Sequence, residues 1–470
     1  MTANAHQAER VLSTLNADGT RRWLNPRPST GRWLNRRRIV GYSLVVLFVA
    51  LPHLRINGKP PLLIDILHRE FTFFGTTLYP TDTLLLALLL ITVALSIFFF
   101  TALFGRVWCG WGCPQTVYLE LVFRPVERFF QGAPGKGKKR FGAAGGFLKI
   151  LVFIALAFGL AHTFLSYFVG TDNLRHWIFG SPLDHPIAFL VMAAVTGLML
   201  FDFGFFREQT CIVACPYGRF QSVMLDRDSL IVGYDRKRGE PRGKKRRTPG
   251  SDVSLKVVQD TQEQGDCIDC TMCVQTCPTG IDIRDGLQME CVNCTQCIDA
   301  CDTIMDKIGR PRGLIRYASQ RTLDGEGRNW MRPRIFVYPT IITILVSIMT
   351  VLLITRASAL VTVTRGPGAP FSVLESGMVA NPIKVKIHDR SPEGGVYTLS
   401  LEGVNGGRID GELPIGLTAG QMFTEPMTLV VPPEAFATGR LPVTVVVQAE
   451  GFEQRIDYVM LGPVFRAGGN

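Results

Sequence analysis

Cys267-Ile-Asp-Cys270-Thr-Met-Cys273-Val-Gln-Thr-Cys277-Pro278 and Cys291-Val-Asn-Cys294-Thr-Gln-Cys297-Ile-Asp-Ala-Cys301-Asp302 repeat one spacing twice, eight cysteines in 35 residues. Two-residue gaps let three thiolates close around three irons of a cubane from one tight loop. The longer x3 step carries the fourth thiolate away to the other cluster. The spacing therefore predicts two [4Fe–4S] clusters with crossed ligation. Cys267, Cys270, Cys273 and Cys301 are expected on one, and Cys291, Cys294, Cys297 and Cys277 on the other. Zinc is more often held by separated ligand pairs, which these runs are not. Asp302 stands where a proline follows Cys277 in the first run. A carboxylate there disfavours the added electron, so the clusters are expected to differ in potential. Paired cubanes form a short wire and imply electron transfer without implying any substrate pocket.

Outward from these runs the cysteines stop quickly. All 12 lie between Cys109 and Cys301 and the last 169 residues hold none, which excludes a secreted disulfide framework. The other four form two matched pairs, Cys109-x3-Cys113-Pro114 and Cys211-x3-Cys215-Pro216. Residues i and i+4 share a helix face, and a helix runs up to a proline more easily than through it. The expectation is two helix ends presenting four soft thiolates at one depth, a donor set for Cu(I), zinc or another cluster. Single buried cysteines are often only small apolar fillers. The repeated pair-plus-proline argues for function and makes Cys109, Cys113, Cys211 and Cys215 candidate catalytic residues.

Around both motifs the chain reads as a membrane protein. Of 470 residues 47% are hydrophobic, in blocks near the length of a span. Five stretches qualify at roughly 20 apolar residues per span: Ile39 to Leu54, Thr83 to Leu103, Phe147 to Val169, Ile187 to Phe206 and Ile335 to Ile354. The net charge of +11 is concentrated on alternate connections. Arg21, Arg22, Arg27, Arg32, Arg36, Arg37 and Arg38 precede the first span. Arg124, Arg128, Lys136, Lys138, Lys139 and Arg140 separate the second from the third, and the run from Arg236 to Arg247 follows the fourth. Cations are retained on the cytoplasmic side, so the N-terminus and the cluster-bearing region are expected inside and the C-terminus outside. This gives a basic cytoplasmic tail (1–38) and four membrane helices carrying the first pair (39–206). Next come a cytoplasmic region (207–334) with the second pair and a two-cluster ferredoxin-like α+β domain at about 258–310, a fifth span (335–354) and an outer, periplasmic domain (355–470).

Weaker signals resolve into bland readings. Gly132 with Gly137-Lys138 imitates a phosphate loop, but Lys139 replaces the metal-binding hydroxyl residue and no buried strand precedes it. The basic run near Lys244 is explained by topology and anionic lipid rather than nucleic acid. His53 and His162 permit a bis-histidine haem, yet such residues more often hydrogen-bond within a bundle; Asp202 is equally ambiguous. Beyond Ile354, Ile383 to His388, Tyr397 to Leu401 and Val443 to Gln448 show strand character between Gly, Pro and Asn clusters, which predicts an all-β sandwich. His388, Met422 and Met427 offer soft copper ligands there, but scattered core and surface roles are the simpler reading.

The segment Gly105-Arg-Val-Trp-Cys-Gly-Trp-Gly-Cys-Pro-Gln115, the run from Cys211 through Pro216-Tyr-Gly-Arg-Phe-Gln-Ser222, and Gly265 to Lys307 resemble the FixG/RdxA/CcoG family of cytochrome c oxidase accessory proteins over nearly the whole chain. The resemblance implies a multi-pass protein of the bacterial inner membrane with a C-terminal immunoglobulin-like domain. It further implies reduction of Cu(II) to Cu(I) for assembly of a cbb(3)-type oxidase, with oxidase assembly factors and copper chaperones as partners. Asp302, unusual in a ferredoxin, is normal for this family. Two competing readings are a respiratory subunit exchanging electrons with quinone and a non-redox scaffold. With no flavin or nicotinamide fingerprint, the electron donor is expected to be external.

Overall fold

The computed structural model describes residues 13–463 apart from 17, 57, 67–68, 133–140, 143, 244–263, 328–330, 392 and 437. Lys136, Lys138, Lys139 and Arg140, the phosphate-loop look-alike, Lys244 to Arg247, the first residues of the basic tail and the start of the expected ferredoxin segment lie outside the described residues. The chain divides into two compact units, Met1–Phe74 with Leu78–Ile348, and Gly75–Thr77 with Met349–Asn470.

Helix α1 (Arg32–Ala50) opens the first unit. Its first amides are capped by a residue far along the chain: Asp299 accepts from Trp33 N at 3.2 Å and Leu34 N at 2.7 Å. A carboxylate there satisfies orphan donors and complements the helix dipole. Among the described residues four helices are long and apolar enough to cross a membrane, Pro80–Phe104, Ala144–Val169, Pro186–Phe206 and Pro333–Ile354. Within them we label α2 (Thr83–Phe104), α3 (Ala144–Val169) and α4 (Pro186–Phe201). The expected span from Ile39 to Leu54 is not among them. It is the second half of α1, whose first turns carry Arg32, Arg36, Arg37 and Arg38 and which gives way to a tight turn at Pro52. The apolar part, Ile39 to Ala50, is only about 18 Å long at 1.5 Å per residue, against about 30 Å of hydrocarbon.

The segment after α2 packs back into this bundle. Tyr118, Leu119 and Phe123 share a core with Phe153 of α3 and Phe203, and the Phe123 and Phe203 rings stack at 4.3 Å. Behind them lies a buried ion network. Arg124 pairs with Glu120 and, at 3.1 Å, with Glu208, while Gln296 donates to Glu120 at 3.1 Å. Arg37 and Arg124, read from the sequence as topology signals, are in fact 0% and 1% exposed.

The cysteine-rich part is built on the strand pair β1 (Ile231–Tyr234) and β2 (Ile315–Ala318), antiparallel with Ile231 opposite Ala318. Between them come the short helix α5 (Met272–Gln275) and α6 (Gln296–Lys307), which share a core with β1 and β2 through Val232, Ile298, Met305 and Ile315. Helix α7 (Pro333–Ile354) follows and buries none of its side chains, as expected of a helix that faces lipid.

The second unit is an all-β sandwich. One sheet runs β6 (Arg408–Asp410), β8 (Met422–Val431), β4 (Val379–Asp389), β3 (Ala359–Arg365), with Ser372–Val373 also pairing β4. The other runs β7 (Ile415–Leu417), β5 (Gly395–Glu402), β9 (Arg440–Ala449), β10 (Phe452–Leu461). Period-two alternation explains the core: Ile383, Val385 and Ile387 are buried while Lys384 and Lys386 are exposed. They share that core with Val445 and Val447 of the facing sheet. Met427 sits in the same core, His388 is buried and Met422 is half exposed, so this trio fills structural positions.

Candidate metal centre

Each cysteine run wraps a loop by the same backbone device. Asp269 and Thr271 in the first run, and Asn293 and Thr295 in the second, adopt left-handed conformations with φ of 54°, 56°, 54° and 66°. These are the residues just before and just after the second cysteine of each run. Non-glycine residues pay strain for such angles, and its recurrence at matched positions marks two equivalent ligand loops. Thr271 and Thr295 then precede α5, which carries Cys273, and α6, which carries Cys297 and Cys301.

The loops bring the thiols of the two runs near one another across the repeat. Burial is the main cause that pushes Cys301 up to about 12, followed by the charges of Cys273 and Cys270, with Asp302 and Cys267 also contributing. Cys297 is raised by burial and then by Cys294, Cys291, Cys277 and, from the first run, Cys273. Burial raises Cys291 to about 11 and Cys294 to about 12, and both feel Cys277. Cys277, Cys291, Cys294 and Cys297, with Cys273 at the edge, line one hollow whose mainly apolar walls include Val232, Ile281 and Ile283. Thiols this reluctant to ionise exchange their protons only for a strongly bound cation. A donor set of sulfur alone in an apolar wall suits iron–sulfur chemistry.

The paired cysteines near the ends of α2 and α4 also converge, by a geometry the sequence reading did not foresee. Cys109 lies on a short helix, Val107–Trp111, but Cys113 falls beyond its end with φ −64° and ψ 125° and caps a new helix that Pro114 begins. Cys215 repeats this at φ −76° and ψ 109° before Pro216. Proline forces the preceding residue to extend and itself favours the first helical position. The second cysteine of each pair is therefore a hinge between helices rather than part of one face. Cys113 N donates to Trp108 O and Cys215 N to Thr210 O, both at 2.8 Å, closing matched wide turns. Burial raises Cys109 and Cys211 to about 12. Arg106 opposes the shift at Cys109, while Cys113 and Cys215 add to it at both. Cys109 Sγ donates to Gln221 Oε1 at 3.0 Å.

Cys109 also feels the charge of Cys291, so the four-thiol site adjoins the second cysteine run. Gly110 makes this approach possible, since a Cβ there would lie 2.5 Å from Val292 O and 2.8 Å from Asn293 O. Trp111 Nε1 donates to Tyr317 Oη at 3.1 Å, and Tyr317 Oη donates to Asn293 O at 3.0 Å. Arg106 donates to the carbonyls of Met289, Gly218 and, at 3.2 Å, Cys291. Sequence reasoning missed Gly110, Arg106, Gln221 and Tyr317. The Gly-Trp-Gly between Cys109 and Cys113 was the available hint of a close backbone approach.

The remaining candidates do not meet. His162 Nδ1 bonds Phe158 O of its own helix at 2.9 Å and lines a hollow with His185, which stacks on Trp177 at 3.9 Å. His53 is exposed and is not part of that lining. Asp202 accepts from Gln115 Nε2 at 3.1 Å and from Thr210, which makes it a brace under the second cysteine pair.

Comparison with known proteins places this geometry. Family models of a 4Fe-4S dicluster domain and of a 4Fe-4S binding domain match residues 206–320 and 86–141. A model of the Ig-like fold at the C-terminus of FixG matches residues 349–463. Protein RdxB of Cereibacter sphaeroides is 36% identical over 386 residues, 77% of this chain and 78% of its own. Protein RdxA of the same organism is 36% identical over 83% of each chain. Nitrogen fixation protein FixG of Rhizobium meliloti is 29% identical over 82% of this chain and 80% of its own. A crystal structure of a FixG-related protein from Vibrio parahaemolyticus covers 22% of this chain and 95% of its own at 18% identity, with a TM-score of 0.21.

Proposed function

This chain belongs to the FixG/RdxA family of iron–sulfur electron-transfer proteins, and from that premise we propose that it passes single electrons through two [4Fe–4S] clusters to Cu(II) at the four edge thiols. Cys267, Cys270, Cys273 and Cys301 hold the first cluster, and Cys277, Cys291, Cys294 and Cys297 the second. Cys109, Cys113, Cys211 and Cys215 receive the copper. The observation that carries this reading is the close backbone approach of Gly110 to Val292 and Asn293, which sets Cys109 beside the second cysteine run. Soft thiolate and thioether carriers take Cu(I), so one electron per ion turns the cupric form into the deliverable one. A cbb(3)-type oxidase under assembly, with its copper chaperones, is the destination, and an external donor supplies the electrons.

The test is anaerobic. Dithionite-reduced, desalted protein is mixed with Cu(II) and a Cu(I)-specific chelator. Reoxidation of the clusters matched by Cu(I) formation is expected. Reoxidation by a quinone and not by copper would replace this reading with a respiratory subunit, and no reoxidation by either would leave a scaffold. Iron and acid-labile sulfide should each come to about eight per chain, four per cubane. A value near four removes one cluster, and a value near twelve assigns a further cubane to the edge thiols.

Sidedness follows the cation bias. The cluster-bearing region is cytoplasmic and the sandwich periplasmic in a bacterial inner membrane, with α7 crossing between them; a cytoplasmic N-terminus as well needs α1, short as its apolar part is, to complete a fifth crossing together with the turn at Leu51–His53. Reporter fusions at Gly250 and Gly468 are expected to report opposite compartments. A shared compartment for both would remove α7, the helix between the two fusion points, from the membrane.

A further inference from the structure

The two thiol groups sit in opposite electrostatic surroundings. Around Cys267, Cys270, Cys273 and Cys301 the nearby cation is already spent: Arg284 is paired with Asp282 at 2.6 Å and Asp269 at 2.5 Å. Asp302 adds a buried carboxylate beside Cys301, its Oδ1 accepting from Gly313 N at 2.9 Å and its Oδ2 only 3.9 Å from the exposed Arg32.

Around Cys277, Cys291, Cys294 and Cys297 the cations are not neutralised. Arg37 is 0% exposed, its Nε donates to Gly110 O at 2.6 Å, and Nη1 and Nη2 have no hydrogen-bond partner among the described residues. The thiol whose charge it feels most is Cys294. A buried guanidinium with two orphan N–H₂ groups is costly unless an anion completes it. Arg106, 5% exposed, spends its donors on the carbonyls of Met289, Cys291 and Gly218 and on Gln221, and pairs with no carboxylate among the described residues. Its charge reaches Cys291, where Glu290 opposes it.

We propose that Arg37 and Arg106 make the cluster held by Cys277, Cys291, Cys294 and Cys297 the electron sink of the pair, with Arg37 as the principal positioning charge. An added electron is stabilised by uncompensated positive charge and disfavoured by a carboxylate. One electron therefore leaves the cluster of the Cys267 group, which is oxidised, and enters the cluster beside Arg37, which is reduced. No proton or covalent bond changes hands. The inference rests on the electron-transfer reading above and gives it a direction: the external one-electron donor meets the Cys267 group, and the electron leaves beside Cys109.

The experiment is an anaerobic redox titration of the purified full-length protein with dithionite, followed by EPR. Two one-electron steps are expected, and the Cys277→Ser variant should lose the higher one. Arg37→Met keeps the bulk and removes the charge. It should make reduction in the higher step at least tenfold less favourable, about 59 mV for one electron, and leave the lower step in place. Arg37→Lys should recover most of that shift, which a purely structural role would not produce. Arg106→Gln supplies the same test if Arg37→Met fails to load iron. The proposal is overturned if the first electron resides on the Cys267 group in the unaltered protein. It is also overturned if the charge-removing variants move both steps equally or neither. Copper reduction is scored separately: shifted potentials without it sink only the copper reading, and copper reduction with unmoved potentials sinks only this one.

Discussion

Serine at Cys109 and Cys113 together is expected to abolish copper-dependent reoxidation while the visible and EPR signatures of both clusters persist. The substitution keeps side-chain volume and removes the soft donor, so packing is preserved while the copper ligands are lost. Cys109 also precedes Gly110, which packs on Val292 and Asn293 of the second run, and on the proposed reading the electron leaves the ferredoxin loops there. The eight cysteines of the two runs are untouched by the change. The measurement is stopped-flow absorbance of reduced protein mixed with Cu(II), with iron content as the control. Cluster-loaded double variant reoxidised at the rate of the unaltered protein would make these cysteines structural, and copper would then have to meet the clusters directly.

Gly110→Val is expected to have an effect nearly as large without altering any sulfur. Its first new carbon would meet the carbonyls of Val292 and Asn293 at 2.5 and 2.8 Å, and backbone atoms cannot swing aside as a flexible side chain can. Either the Val107–Trp111 helix lifts from the loop or the loop distorts, at an overpacking cost of about 1–3 kcal/mol. Displacing a positioned group by about 1 Å can cost roughly 100-fold in rate, and a fall of that size in copper-dependent reoxidation is expected. Reduction of both clusters by dithionite should remain complete. Unchanged reoxidation kinetics would mean that the electron does not cross this contact.

These two sites were legible to different degrees. The cysteine runs announce their chemistry because cubane ligation is a local matter of spacing on one loop. The strands of the sandwich were equally readable: alternation through Ile383, Val385 and Ile387 needs no knowledge of the partner sheet. The edge pairs were readable as pairs, but not as hinges, because the extended Cys113 and Cys215 follow from the proline after each rather than from i, i+4 periodicity. Arg37 was opaque. In sequence it is one of several arginines before an apolar stretch, and only the docking of α1 on α6 and on Gly110 turns it inward. The same stretch leaves the first span shorter than the other four. Arginines and apolar residues there belong to one continuous helix, and hydropathy alone does not reveal where its buried part begins.

The capping of α1 by Asp299 has a consequence for biosynthesis. The two partners stand 266 residues apart, so the cap does not exist while the early helices are being made. At about 5–20 residues per second, roughly 13–53 seconds of synthesis separate them. Through that interval the N-terminal helix has its first amides open and its arginines without their final surroundings, and Arg37 can be enclosed only after the second cysteine run has emerged. A late-translated segment of this unit therefore holds an early one in place, and the N-terminal segment becomes protected from proteases only when the cysteine-rich loops are complete.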